Sequence, residues 1–135
     1  MRTIDVFFYG LFMDADLVRA KGIESAAFRP ASVTGFELRI GNRATLIPAK
    51  SGRVFVMLAS LSQTELAQLY SEPSVQAYQP EAVLAKLSTG ETLAALCFNL
   101  VEAPLADERN PDYAAKLRAL AERFGFPAEY ILTIQ

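Results

Sequence analysis

Ala44-Thr45-Leu46-Ile47-Pro48-Ala49-Lys50-Ser51-Gly52-Arg53-Val54-Phe55-Val56-Met57-Leu58-Ala59-Ser60-Leu61 runs directly into Ser62-Gln63-Thr64-Glu65. Ala44 to Ile47 predicts a short strand ended by Pro48. Ala49-Lys50-Ser51-Gly52 has turn composition, and Arg53 to Leu61 is β-branched and apolar enough for a returning strand. The pattern therefore predicts a hairpin of these two runs. Ser62 and Glu65 then have capping-box spacing. The Ser62 hydroxyl and the Glu65 carboxylate each accept a free N–H of the first helical turn. Leu61 and Leu66 flank the box as a hydrophobic staple. Leu66, Leu69 and Tyr70 give a buried stripe, and the helix ends before Pro73.

The same reading extends in both directions. Thr3 to Tyr9 predicts a buried strand closed by Gly10. Asp14 can cap a short helix with Asp16 in its first turn, Arg19 and Lys21 in its last, and Gly22 as its stop. Ala31 to Ile40 predicts a strand with a bulge or bend at Gly35. Pro80 to Leu87 and Glu91 to Val101 predict two strands joined at Ser88-Thr89-Gly90. Asn110 followed by Pro111 opens a helix whose apolar face is Ala114, Leu117, Leu120, Ala121 and Phe124. Gly125 ends that helix, and Pro127 to Leu132 forms a last turn. Hairpins dominate and no βαβ rhythm is present. The class is α+β with a mostly antiparallel sheet. Periodicity alone does not decide whether the sheet closes.

The composition narrows the function. The chain has 135 residues, 52% hydrophobic and 21% charged, with a formal net charge of −2. That predicts one domain over residues 1–135 with a core of ordinary size. No basic surplus is present to bind nucleic acid phosphates or anionic lipid, so neither is an expected partner. Histidine is absent and cysteine occurs once, at Cys97. A Ser-His-Asp triad, a Cys-His dyad, an imidazole zinc site and a CxxC pair are thereby excluded. The apolar run Val6 to Met13 is too short to span a membrane. Asp5 precedes it and Asp14 and Asp16 follow, so it reads as a strand entering a loop rather than an export signal. A cytoplasmic location is expected.

Several residues are candidates for chemistry. At Tyr9-Gly10-Leu11-Phe12 a buried strand ends on a glycine. Its outward amides can bind a carboxylate or an oxyanion, or the turn is an ordinary strand end. Glu72 follows a capped helix and precedes Pro73, with Tyr70 and Tyr78 near in sequence. The negative helix end and aromatic burial would raise its pKa toward that of a general base, or it is a solvated loop acid. Cys97 lies within a strand and reads as a small core residue. Asp107-Glu108-Arg109 reads as a solvated loop. Arg43 either pins an anion or faces water. Tyr113 opens the last long helix and could simply cover the core edge. No set of metal ligands is found.

The order of elements resembles the γ-glutamylcyclotransferase family in its broad, small-domain sense, which includes AIG2-like proteins. The resemblance covers nearly the whole chain. Phe7-Phe8-Tyr9-Gly10-Leu11-Phe12 is similar to the family's opening strand and its Tyr-Gly-Ser/Thr-Leu/Asn loop. Gly35-Phe36-Glu37-Leu38 with Ala44-Thr45-Leu46-Ile47-Pro48 is similar to its "G-aromatic-x-L … A-x-L-x-P" hairpin. Val54 to Leu61, then Leu66-Ala67-Gln68-Leu69, resemble its following strand and helix. Pro111-Asp112-Tyr113 and Gly125-Phe126-Pro127-Ala128-Glu129-Tyr130 resemble its C-terminal "P-S-x-x-Y" and "G-L-P-x-x-Y". The implied fold is a strongly twisted or barrel-like sheet of five to seven strands with flanking helices.

The resemblance also implies a site. The family's "L-D-x-x-E-G" segment matches Leu69-Tyr70-Ser71-Glu72-Pro73, with the acid one residue closer to the leucine. Glu72 is then the catalytic acid-base residue, with Tyr9, Gly10, Leu11, Phe12, Tyr78 and Tyr113 around the substrate. The implied reaction turns a γ-glutamyl amine or amide into 5-oxoproline and a free amine, without metal or organic cofactor. Three departures accompany the match. Leu11 and Phe12 replace a small polar residue and its neighbour in the loop, Tyr70 replaces an acid, and Pro73-Ser74 replaces a glycine. The alternative function on the same fold is a non-catalytic module that binds a small amide or acid with an apolar tail.

Overall fold

The computed structural model describes residues 2–24 and 27–135. Five strands form a closed barrel: β1 (Ile4–Phe8), β2 (Arg29–Ile40), β3 (Ala44–Leu61), β4 (Tyr78–Leu87) and β5 (Thr92–Leu100). Their order round the barrel is β1-β3-β2-β4-β5. All neighbours are antiparallel except β5 and β1, which meet in parallel at Val6 and Leu96. β1 thus lies between two neighbours, and its Val6, Phe7 and Phe8 are buried. That accounts for an unbroken apolar run in place of alternation. Among the described residues, four α-helices flank the barrel: α1 (Ala15–Ala20), α2 (Gln63–Leu69), α3 (Pro111–Arg123) and α4 (Ala128–Ile131).

The expected hairpin of Ala44–Ile47 with Arg53–Leu61 does not form. Both runs belong to the single strand β3, and both pair with β2. The true hairpin is β2–β3, turning at Gly41-Asn42-Arg43, with Leu38 opposite Leu46. The turn-like residues serve a different purpose. Thr34 pairs with Arg53 and Phe36 with Pro48, so Ala49-Lys50-Ser51-Gly52 stands opposite Gly35 alone. This is an extended bulge that bends the long strand pair. Gly35 takes φ +88° there, and a side chain on Gly52 would overlap the Phe36 carbonyl.

The helix ends follow their local chemistry. Asp14 accepts from Asp16 N at 2.9 Å, and Asn110 accepts from Tyr113 N at 3.2 Å. Both bonds of the Ser62–Glu65 box are present, at 2.9 and 3.1 Å. α3 buries Ala114, Leu117, Leu120 and Ala121. Beside it, Phe55 of β3 meets Phe126 and Tyr130, with ring centroids 5.7 and 5.2 Å apart. Cys97 is fully buried within β5, and burial pushes its thiol up to about 12. No helix among the described residues is long and apolar enough to cross a membrane.

Candidate functional site

Where β1 leaves the barrel at Tyr9-Gly10, the chain turns through one 3₁₀ turn, Leu11–Met13, and opens a cavity of about 310 Å³. Six other segments complete its wall. α1 gives Leu17 and its C-terminal Lys21. The β2–β3 loop gives Asn42, Arg43 and Ala44. The loop after α2 gives Tyr70, Glu72, Ser74 and Val75. β4 contributes Tyr78, β5 contributes Phe98, and the first turn of α3 contributes Tyr113. The cavity thus brings together Tyr9, Gly10, Leu11, Phe12, Glu72, Tyr78 and Tyr113.

Aromatic rings form much of the wall. Tyr70 stacks on Phe98 with centroids 4.0 Å apart, and Phe12 meets Tyr70 edge-on at 5.6 Å. Tyr70 stands where the resembling family has an acid, and here it supplies packing in place of charge. The tyrosine hydroxyls are used structurally. Tyr9 Oη donates to the Phe98 carbonyl at 2.6 Å, and Tyr78 Oη donates to the Ala44 carbonyl. Tyr113 Oη accepts from Leu11 N at 3.4 Å. One of the three amides expected to bind an anion is therefore already partnered. Burial pushes the phenols of Tyr9, Tyr70 and Tyr78 well up, and that of Tyr113 up to about 12. All four keep their protons at neutral pH and cannot act there as bases.

Three charged side chains line the cavity: Lys21, Arg43 and Glu72. Glu72 differs from its expected state. Its side chain is 51% exposed, and its Oε1 pairs with Lys21 Nζ. It also sits at the start of the 3₁₀ turn Pro73–Val75, beyond Tyr70, which ends α2. The aromatic wall thus shields its carboxyl only in part. The wall leaves Glu72 at the rim of the aromatic cavity, open to water on one side.

Lys21 is a site residue that sequence reasoning missed. Its only sequence signal was a place in the last turn of a short helix, and its partner is far away along the chain. Glu108 lies in the exposed loop expected of it and is also tied to backbone amides. It accepts from Asn42 N at 3.1 Å and from Leu105 N at 2.6 Å, which holds its carboxyl below the usual range. Asn110 Nδ2 donates to the Asn42 carbonyl at 3.2 Å. These bonds fasten the segment before α3 to the loop that carries Arg43. Gly41 permits the contact, because a side chain there would overlap Pro104 and Glu108. Among the described residues, no group of three or more acidic or cysteine side chains stands close enough to hold a metal ion.

Comparison with solved structures matches this arrangement over nearly the whole chain. A protein described as a gamma-glutamyl cyclotransferase superposes with a TM-score of 0.83 at 20% identity, covering 98% of this chain and 86% of its own. The chain has the γ-glutamyl cyclotransferase fold. An uncharacterized protein from Homo sapiens gives a TM-score of 0.83 at 19% identity, over 99% and 87% of the two chains. An AIG2-like protein from Mus musculus gives 0.58 at 15%, over 83% and 91%. No protein-family model matches the sequence, and neither does any curated protein. At these identities the cyclotransferase fold is what is shared, and the side chains of the site must be argued on their own.

Proposed function

We propose that this protein cyclises a γ-glutamyl amine or amide, releasing 5-oxoproline and the free amine. The observation that carries the reading is the composition of the cavity wall. Among the described residues Glu72 is the only carboxylate on it, and it shares the cavity with the strand-end turn Gly10-Leu11-Phe12. The substrate brings its own nucleophile, so neither histidine nor an activated cysteine is needed. Its α-ammonium gives a proton to Glu72. The freed amine attacks the γ-carbonyl carbon, forming the ring C–N bond and a tetrahedral oxyanion. The bond to the leaving nitrogen then breaks as Glu72 returns the proton to that nitrogen, and the ring nitrogen passes its second proton through Glu72 to the released amine, which departs as its ammonium. Holding amine and carbonyl at attack distance supplies about 7–11 kcal/mol. The Gly10 and Phe12 amides of the turn serve as fixed dipoles for the oxyanion. The reading needs no cofactor and goes with a cytoplasmic, small-molecule role.

The aromatic wall favours a second reading. Tyr70, packed between Phe98 and Phe12, replaces an acid with an apolar surface. That suits retention of an apolar-tailed amide without turnover. The test is release of 5-oxoproline from a panel of γ-glutamyl amines with alkyl and aryl tails. Turnover of any member supports the enzyme. Saturable binding with no release across the panel supports the binding module.

A further inference from the structure

The cavity holds an ion pair whose geometry matches one ligand feature. Lys21 Nζ pairs with Glu72 Oε1 at the cavity wall. The Lys21 side chain is 19% exposed, and its Nζ lies 5.9 Å from the centroid of the Phe12 ring. A cation so far withdrawn from water needs a partner. The two backbones that carry the pair are tied together. The Lys21 carbonyl accepts from Gln68 Nε2 of α2, and Gly22 makes room for that amide with φ +92°. The pair therefore joins two docked segments.

We infer that the Lys21–Glu72 pair is a receptor for an α-amino acid head group, in which Lys21 takes the α-carboxylate while Glu72 takes the α-ammonium. This assignment rests on the cyclotransferase reading for its substrate. A zwitterionic head carries opposite charges on one carbon, the complement of the pair. On binding, one internal ion pair is exchanged for two external ones, and no charge is left alone. An amine without the carboxylate brings a second cation to Glu72 and leaves Lys21 unserved. An acid without the ammonium sets an anion against Glu72. The pair thus discriminates against both half-ligands by leaving a charge unpaired. With the carboxylate held by Lys21, the Gly10 and Phe12 amides of the turn are left for the oxyanion.

The test uses three inert probes: L-norleucine, pentylamine, which lacks its carboxylate, and hexanoate, which lacks its ammonium. Calorimetric titration of the wild type should give norleucine binding about 10–100-fold tighter than either half-ligand. Lys21→Met should bring norleucine down to the level of pentylamine without weakening pentylamine. Lys21→Arg should keep most of the preference. If Lys21→Met does not fold by circular dichroism, Lys21→Gln takes its place. An equal loss for norleucine and pentylamine would make Lys21 a mere brace for Glu72 and overturn the assignment. So would an unchanged preference in Lys21→Met, its loss in Arg43→Met instead, or no norleucine binding by the wild type. Norleucine has no γ-carbonyl to attack, so this result is independent of 5-oxoproline release. The head-group receptor and the cyclotransferase can fail separately.

Discussion

The hydroxyl of Tyr113 occupies the space that a side chain on Gly10 would need. The glycine that ends β1 is thus explained by close approach: its φ of −113° is open to any residue. Gly10→Ala should displace the Tyr113 ring, loosen its bond to Leu11 N and cost about 1–3 kcal/mol through overpacking. Urea titration measures the loss. Gly10→Ala combined with Tyr113→Phe should recover part of it, because the overlapping oxygen is gone. A double variant as unstable as the sum of the two singles would show that Tyr113 is not what the methyl meets.

The bulge gives a contrast between two glycines that face each other. Gly35 has φ +88° with open space around its Cβ position, so Gly35→Ala should cost about 1–2 kcal/mol from the left-handed backbone alone. Gly52 is blocked by the Phe36 carbonyl, a backbone atom that cannot swing aside. Gly52→Ala should cost more than Gly35→Ala, and it should shift amide signals on β2 around Phe36. Equal melting points for the two variants would contradict the overlap.

Burial raises the phenols of all five tyrosines above their ordinary value of 10.0. The sign of the resulting pH dependence follows. The unfolded chain releases these protons near pH 10 while the folded protein still holds them. The stabilisation is complete below pH 10 and declines as pH rises toward the folded values, near 12 for Tyr113. Each phenol contributes a slope of about 1.4 kcal/mol per pH unit in that window. Phenolate absorbance should therefore stay low past pH 10 and then rise together with loss of the folded circular dichroism signal. A gradual phenolate rise near pH 10 in folded protein would refute the burial.

Ser62 caps α2 through the Glu65 amide, and Glu65 returns the bond to the Ser62 amide. Ser62→Ala frees one first-turn N–H and should cost about 0.5–2 kcal/mol. Thermal melting reads it, and an unchanged midpoint would show that the bond carries nothing.

That cap was legible because capping is local: three residues and a hydroxyl suffice to write it. The same holds for Asp14 and Asn110, and for the bulge at Gly35. Pro48 and the Ala49–Gly52 run misled because their turn chemistry is local, whereas the partner that recruits them into one strand is β2. A barrel-like sheet was legible only through the family resemblance and its strand order not at all, since closure of β1 on β5 leaves no mark on periodicity. In the site, Tyr9 to Phe12, Glu72, Tyr78 and Tyr113, which the sequence singled out through the family's motifs, line one cavity. Lys21 had no such motif. Its contact with Glu72 joins the end of α1 to the loop after α2, which only the tertiary packing brings together.

Glu72→Gln is the most direct test of the chemistry. Glutamine keeps the length, the acceptor oxygen toward Lys21 and the position at the cavity rim. It cannot take a proton from the α-ammonium or return one to the leaving nitrogen. If the protein is a cyclotransferase, 5-oxoproline release should fall by about 10²–10⁴-fold, the usual share of acid-base catalysis. Stability should change by no more than about 1 kcal/mol, because the Lys21 pair is half open to solvent on the Glu72 side. Turnover must therefore be measured beside the melting point, on the same γ-glutamyl amine for both proteins. A large loss at an unchanged midpoint assigns the proton transfers to Glu72. Equal turnover in both would remove Glu72 from the reaction and leave the cavity without a carboxylate to perform it.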